Sequence, residues 1–203
     1  GMMLFTSRPV GDAMATTIWG TSSSWTLTAL PLFVWMGEIL FRTKLSENLF
    51  EGLSPWMQKL PGGLIHVNVV GCAIFAAISG SSAATVATVG KMSIPELRKR
   101  NYPEKILLGS LAGSGTLGLL IPPSIILIIY GVTVQESIAK LFIAGIFPGI
   151  MIAIIFMTYV VIWSLMNRNQ MPVLKEEIPF FEKIKRSGKL IPVILLIISV
   201  IGS

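Results

Sequence analysis

The stretch that decides the fold is Ser79-Gly80-Ser81-Ser82-Ala83-Ala84-Thr85-Val86-Ala87-Thr88. It consists of small and hydroxyl-bearing residues, yet it lies within the apolar segment 64–89. A bilayer interior offers no water to backbone N–H and C=O groups, so non-helical chain survives there only where it lines a cavity or is buried in protein. Two interpretations follow. The small residues allow close helix packing, or they form the turn of a broken helix whose exposed ends bind an ion or a solute.

Composition assigns the chain to the integral membrane proteins. Of its 203 residues, 53% are hydrophobic and 13% are charged, and the mean hydropathy is +0.76. An average soluble domain is roughly 25% charged. Because a spanning helix needs about 20 mainly apolar residues, the sequence predicts an all-α, multi-pass fold without a soluble domain. The predicted spans are residues 25–41, 106–130, 138–165 and 190–201.

The basic residues predict that segment 64–89 enters the membrane and returns to the same side. Lys and Arg concentrate in short cytoplasmic loops, and a single crossing would place the first two basic clusters on opposite sides. Two complete spans need about 40 residues, so we predict two half-helices of about 12 residues each, with a turn at residues 79–82. Three clusters contain all but Arg8 and Lys140 of the 16 basic residues: Arg42, Lys44 and Lys59; Lys91, Arg98, Lys99, Arg100 and Lys105; Arg168, Lys175, Lys183, Lys185, Arg186 and Lys189.

Two amphipathic segments are predicted to lie on the inner membrane surface. Residues 45–60 carry leucines at helical spacing, and residues 168–189 combine basic side chains with Phe180 and Phe181. An apolar face beside a basic face is typical of helices in the membrane interface.

A second interruption is predicted within residues 106–130. There the sequence reads Gly113-Ser114-Gly115-Thr116-Leu117-Gly118-Leu119-Leu120-Ile121-Pro122-Pro123-Ser124. A proline inside a helix removes a backbone hydrogen bond and clashes with the carbonyl one turn earlier. We expect the carbonyls of residues 117–119 to lose their helical partners and to suit a dehydrated cation, whereas helix N-termini near Ser82 and Ser124 favour an anion. A kinked helix supported by neighbouring helices is the alternative.

These motifs resemble the large membrane subunit of tripartite ATP-independent periplasmic (TRAP) transporters. The resemblance rests on residues 78–85 and 109–124 and covers most of residues 29–149. Supporting matches are Leu30-Pro31-Leu32-Phe33, Met36-Gly37-Glu38, Leu60-Pro61-Gly62-Gly63, Phe142-Ile143-Ala144-Gly145 and Pro148-Gly149. The resemblance implies a subunit of a sodium-coupled importer of organic acid anions, such as C4-dicarboxylates or sialic acid, in the bacterial inner membrane.

The resemblance also implies partners and a mechanism. A small membrane subunit assembles with the permease, an extracytoplasmic solute-binding protein delivers the solute, and a transport domain moves against a scaffold as an elevator. The family's large subunit has a second, inverted half. We therefore expect this chain to be a fragment of a larger permease or one half of a split one, with the remaining half supplying further contacts.

By the same resemblance the chain divides into three parts. We expect residues 1–62 to form a scaffold-type span and an interfacial helix. Residues 63–132 would be half of the transport domain, with the re-entrant hairpin at 63–91 and the broken helix at 105–132. Residues 133–203 would form a span, an inner-surface helix and a truncated last helix.

The two motifs also contain the candidate sodium and solute contacts. Sodium is expected as the coupling ion, without another metal, a cofactor or catalytic residues. The candidate residues are Ser79, Gly80, Ser81, Ser82, Thr85, Thr88, Gly113, Gly115, Thr116, Gly118, Pro122, Pro123 and Ser124.

Other function classes find less support. The sequence has neither a Gly-rich phosphate loop with a lysine nor a Ser/His/acid constellation, so we expect neither ATP hydrolysis nor an enzyme. The run Arg98-Lys99-Arg100 suits anionic lipid better than nucleic acid. Glu38 precedes Arg42 by one helical turn, and we expect these two side chains to pair.

Two alternatives stay open: a carrier similar to divalent anion–sodium symporters, without a binding protein, and a membrane scaffold subunit that does not transport.

Overall fold

The computed structural model describes residues 10–23, 29–172 and 179–201, and every regular element within these ranges is helical. The prediction of an all-α fold is therefore confirmed for the described residues. In chain order the α-helices are α1 (Val10–Ser22), α2 (Ala29–Arg42), α3 (Leu45–Met57), α4 (Ile65–Ser79), α5 (Ser82–Lys99), α6 (Glu104–Gly115), α7 (Ile125–Val134), α8 (Ile138–Met166), α9 (Phe180–Ser187) and α10 (Ile191–Ile201).

Helices α4 and α5 pack against each other as a helical hairpin. Gly80 ends α4 in the left-handed conformation, with φ of 60°, and its N–H donates to the Ala76 carbonyl at 3.0 Å. Such a residue terminates a helix at little cost when it is glycine. Ser81 then caps α5, because its Oγ accepts the N–H of Ala84 at 3.4 Å. The turn thus lies where the sequence predicts it.

The two arms of the hairpin are longer than predicted. They contain 15 and 18 residues, whereas half-helices of about 12 were expected from the bilayer thickness. The second arm continues past Lys91 and Pro95 to Lys99, with Lys91, Arg98 and Lys99 exposed. The predicted second arm ended where the charged residues begin. A helix can continue past that point when its charged side chains stay outside the packed core.

The predicted interruption of segment 106–130 is present. Helix α6 ends at Gly115, a 3₁₀ turn covers Thr116–Leu119, and α7 begins only at Ile125. Pro122 and Pro123, joined by a cis peptide bond, lie in the non-helical residues between them. Neither proline has an N–H to continue the helical ladder. The α6 helix and the 3₁₀ turn both pack on the hairpin.

Helix α8 is the one helix in the described ranges whose length and composition suffice to cross a membrane. It has 29 residues, and only 11% of its most apolar window is buried within the chain. Helix α2 has 14 residues and α10 has 11. Residues 24–28, which include the start of the predicted span 25–41, lie outside the described residues.

The hydrophobic core lies between the hairpin, α3 and α6. Helix α3, predicted as an interfacial helix, places Leu49 and Leu53 against the hairpin and leaves Glu47 and Glu51 exposed. Of the predicted surface segment 168–189, the structure describes α9, which packs on α3. Residues 173–178 of that segment lie outside the described part. The largest core side chains are Phe75, Leu64, Ile65, Ile78, Leu97, Leu107 and Leu117.

Candidate functional site

The turn of the hairpin meets the interruption between α6 and α7. The N–H of Ile125 donates to the Gly80 carbonyl at 3.2 Å. Ser82 Oγ donates to the Gly115 carbonyl at 2.8 Å. These two hydrogen bonds connect the hairpin turn to the chain on both sides of the break. We call this contact, formed by residues 79–85 and 113–125, the tip contact.

Three glycines make this close approach possible. A Cβ at Gly80 would lie 2.6 Å from the Pro123 carbonyl oxygen, and one at Gly118 would lie 2.8 Å from the Ser82 nitrogen. At Gly115 a Cβ would lie only 1.9 Å from Cγ2 of Val86. At Gly80 and Gly118 the obstructing atoms are backbone, so a side chain fits only if the hairpin and the break move apart, whereas at Gly115 the Val86 side chain would have to move.

Two hydroxyl groups brace the hairpin turn from within. The Oγ of Ser79 lies 2.9 Å from Oγ1 of Thr85, and both residues are buried. Thr85 Oγ1 is also 2.7 Å from the Ser81 carbonyl, to which it donates. Ser81 and Ser82 are only half-buried. Of the four hydroxyls in the turn, those of Ser81 and Ser82 are therefore the better placed to reach a ligand.

Three of the predicted contact residues face away from the hairpin turn or lie beyond it. Thr88 is one turn further along α5, where its buried Oγ1 has no hydrogen-bond partner among the described residues. Thr116 is exposed and donates to the Gly113 carbonyl at 2.7 Å. A Cβ on Gly113 would meet the ring of Phe156 on α8 at 3.3 Å.

The expectation of unpaired carbonyls at residues 117–119 is wrong for two of the three. The Leu117 carbonyl accepts the N–H groups of Leu120 at 3.1 Å and Ile121 at 2.8 Å. The Leu119 carbonyl accepts Ser124 Oγ at 2.8 Å. The Leu117 carbonyl keeps its i+4 donor, because residue 121 is not a proline, and the 3₁₀ turn adds an i→i+3 donor. A side chain replaces the donor that Pro123 cannot supply to Leu119.

Helix ends dominate the electrostatics of the tip contact. No residue in 79–85 or 113–125 carries a formal charge. The N-terminal ends of α5 and α7 are brought together there by the bond between Gly80 and Ile125. Helix N-termini present N–H groups without intrahelical acceptors and a partial positive charge, whereas C-termini such as that of α4 present carbonyls and a partial negative charge. The tip contact therefore offers partial charges of both signs.

Sequence reasoning missed a polar connection between α4 and α6. The buried Asn68 donates from Nδ2 to Ser110 Oγ at 3.0 Å and to the Leu107 carbonyl at 3.3 Å. Ser114 Oγ donates to the Ser110 carbonyl at 2.6 Å. An asparagine inside an apolar run was the available signal, because a buried amide requires hydrogen-bond partners.

Sequence reasoning also missed the contact of α2 with the hairpin turn. Gly37 is buried, and a Cβ there would lie 3.6 Å from Cβ of Ser79. The predicted pair on the same helix is confirmed: Arg42 Nε lies 2.8 Å from Glu38 Oε1.

Ser124 provides a direct test of how the break is supported. We expect Ser124→Ala to lower the free energy of unfolding of the protein by about 1 kcal/mol, because it removes the donor to the Leu119 carbonyl. Thermal unfolding in detergent measures the effect. Thr133→Ala on α7 removes an exposed hydroxyl that bonds its own helix and serves as the control. Equal stability of the two variants would contradict a supporting role for Ser124.

Two interrupted helical elements that meet at their breaks are the arrangement by which secondary transporters bind solutes and ions. The protein therefore has the architecture of a membrane transporter of this class. The chain belongs to the TRAP large-permease family: the family model described as "Tripartite ATP-independent periplasmic transporter, DctM component" matches residues 1–203. Its members are inner-membrane permeases, which are not enzymes, and the chain is accordingly an inner-membrane protein.

Curated relatives agree with this assignment. The chain is 33% identical over 201 residues to the C4-dicarboxylate TRAP transporter large permease protein DctM of Pseudomonas aeruginosa, covering 99% of this chain and 46% of that protein. It is 38% identical over 160 residues to the 2,3-diketo-L-gulonate TRAP transporter large permease protein YiaN of Escherichia coli, covering 78% and 37%. It is 37% identical over 134 residues to the sialic acid TRAP transporter permease protein SiaT of Haemophilus influenzae, covering 66% and 22%. The chain thus spans half or less of the length of these relatives.

Proposed function

We propose that the tip contact forms one part of the sodium and solute site of a secondary transporter for organic acid anions. The observation that carries this proposal is the pair of hydrogen bonds joining Gly80 to Ile125 and Ser82 to Gly115. They bring helix N-termini, helix C-termini and accessible hydroxyls to one place without any formal charge. Such a place binds a cation through oxygen atoms and a carboxylate through N–H groups.

The proposed sodium ligands are the hydroxyls of Ser81 and Ser82 and carbonyls of residues 113–119. Several of these carbonyls already accept a hydrogen bond, but a carbonyl oxygen has two lone pairs and retains capacity for a cation. Hard cations prefer oxygen ligands of this kind. The N-terminal turns of α5 and α7, with Ser124, are the proposed contacts for the carboxylate of the solute.

We further propose that the hairpin is re-entrant and belongs to an elevator. Its two outer ends carry the basic residues of neighbouring clusters, which favours one common, cytoplasmic side. Residues 63–132 would be half of the moving domain, because α4, α5 and α6 pack closely on one another. Residues 1–62 and 133–203, including the largely exposed α8, would contribute to the scaffold and to its lipid contacts.

The substrate class and the partners are also part of the proposal. The relatives are named for C4-dicarboxylate, 2,3-diketo-L-gulonate and sialic acid, which are all organic acid anions. The family description calls the transporter tripartite and periplasmic, which supports a small membrane subunit and an extracytoplasmic solute-binding protein as partners. The rest of the permease would complete the site.

The proposal is tested by removing the two accessible hydroxyls. In the permease that carries this chain, reconstituted with its binding protein, we expect Ser81→Ala with Ser82→Ala to raise the sodium concentration for half-maximal uptake about tenfold or more. Each lost ligand or hydrogen bond costs on the order of 1 kcal/mol. Thr133→Ala with Thr158→Ala removes two exposed hydroxyls that bond their own helices, and it is the matched control.

Other outcomes distinguish the competing functions. Uptake that persists without a sodium gradient would remove the coupling from the proposal. Uptake that needs no extracytoplasmic binding protein would favour a carrier similar to the divalent anion–sodium symporters. Unchanged function of the assembled system after loss of both serine hydroxyls would favour a membrane scaffold, in which the interruptions serve packing alone.

A further inference from the structure

A cavity lies away from the tip contact. Its volume is about 430 Å³, and it forms where the α3–α4 connection, the α5–α6 connection and the end of α8 meet. Residues 58–63 line one side, Tyr102 lies at another, and residues from Ser164 to Pro172 close the third. The distribution of basic residues predicts that this end of the chain faces the cytoplasm. We call this cavity the inner pocket.

Among the described residues, the inner pocket is lined by positive charge without negative charge. Lys59 and Arg168 both line it, and no carboxylate is among its lining residues in the described part of the chain. Neither side chain forms an ion pair within that part. Five of the other described basic residues are paired with carboxylates, namely Arg42, Arg98, Arg100, Arg186 and Lys189. Within the described ranges, the two cations of the inner pocket therefore have no carboxylate partner of the kind that these five have.

Two buried hydroxyl groups also line the inner pocket. Tyr102 is 5% exposed, and its oxygen accepts the Leu64 N–H at 3.1 Å, so its own proton is available to another acceptor. Burial raises the pKa of the Tyr102 hydroxyl, which therefore keeps that proton at neutral pH. Ser164 is also 5% exposed. With the amide of Gln58, these groups supply donors for an oxyanion.

An apolar surface continues from the inner pocket. Leu165 lines the pocket and is 44% exposed, and Ile162 and Met166 are exposed next to it on α8. A ligand that carries an anionic head and a hydrocarbon chain would contact both the charged lining and this surface. Basic pockets between membrane helices on the cytoplasmic side are known to bind phospholipid head groups.

We propose that the inner pocket binds a phosphate group through Lys59, Arg168, Tyr102 and Ser164, and that the phosphate is carried by an anionic phospholipid. The same donors would also hold a soluble phosphate compound. The apolar surface of α8 favours the lipid-borne form. This site is separate from the tip contact, so it does not depend on the proposed transport site.

The experiment uses the intact permease that carries this chain, exchanged into detergent with limiting phosphatidylglycerol and examined by native mass spectrometry. We expect Lys59→Gln with Arg168→Gln to weaken retention of one phosphatidylglycerol molecule about tenfold, since each cation near a phosphate contributes appreciably to lipid attraction. Lys44→Gln with Lys105→Gln removes two exposed charges that do not line the pocket, and it should leave that molecule bound. Ser164→Ala is a milder variant, expected to weaken retention severalfold without disturbing the fold.

The possible outcomes separate a site from general surface attraction. The proposal would be overturned if the two double variants lost phosphatidylglycerol equally. It would also be overturned if neither Ser164→Ala nor the pocket double variant changed the retention of phosphatidylglycerol. The lipid-borne form is supported if only the pocket variant loses phosphatidylglycerol and millimolar inorganic phosphate does not displace that lipid from the unmodified permease. Selective loss combined with displacement by inorganic phosphate supports the phosphate site and assigns it to a soluble compound.

Discussion

Replacing Gly80 with alanine is expected to abolish solute uptake by the permease. The residue has φ of 60°, where a Cβ costs about 1–2 kcal/mol, and the new Cβ would lie 2.6 Å from the carbonyl oxygen of Pro123. That oxygen belongs to the backbone and cannot move as a side chain does. A combined cost of about 3 kcal/mol reduces the population of molecules with the native tip contact about a hundredfold. Uptake into proteoliposomes at saturating sodium measures the loss.

Gly71→Ala is the matched control for this prediction. Gly71 lies in the first arm of the same hairpin, and a Cβ there would make ordinary contact with Val89 at 3.6 Å. An alanine within a helix adds roughly 0.5–1 kcal/mol of stability relative to glycine. Uptake by this variant should be near normal. Normal uptake by the Gly80 variant would instead mean that the hairpin turn need not approach Pro123 during transport.

Gly118→Ala is expected to have the second largest effect, at least a tenfold loss of uptake. A Cβ at this position would lie 2.8 Å from the Ser82 nitrogen and 2.9 Å from the Ser81 carbonyl carbon. Both atoms are backbone, so the hairpin turn and the 3₁₀ turn must separate. That separation lengthens the bond between Ser82 and Gly115, which is 2.8 Å in the native geometry. Because proposed ligands from both sides are pulled apart, the apparent affinity for sodium should fall together with the uptake rate.

Gly109→Ala controls for a glycine substitution on the same broken helix. Gly109 lies in α6, and a Cβ there would meet no atom within 4 Å. We expect its sodium dependence to match that of the unmodified permease. A Gly118 variant that loses uptake while keeping its sodium affinity would argue against joint ligation by the two turns. In that case the close packing would matter for movement and not for the ion.

The hairpin turn and the second interruption were predictable because both are properties of short stretches of chain. Gly80 provides a left-handed residue, Ser81 provides a cap, and the pair Pro122-Pro123 cannot continue a helix in any surroundings. The all-α fold followed from apolar composition. The lengths of the hairpin arms were underestimated, because the sequence estimate equated the end of an apolar run with the end of a helix. The structure shows that α5 continues for two further turns with Lys91, Arg98 and Lys99 exposed.

Hydrogen-bond satisfaction was harder to predict. The carbonyls of Leu117 and Leu119 were expected to be free, but a 3₁₀ turn and the side chain of Ser124 satisfy them. The connection between Asn68 and Ser110 likewise joins residues 42 positions apart. A sequence identifies groups that need partners, but the partner depends on which elements lie side by side.

The sequence by itself determined the family, the helical class, and the two places where the helices stop, because backbone conformation at glycine, proline and capping serine is decided locally. Only the tertiary structure decided that these two places touch, that glycines 80, 115 and 118 allow the contact, and that Lys59 and Arg168 share one pocket. Such contacts depend on packing between distant segments, for which local preferences carry no information.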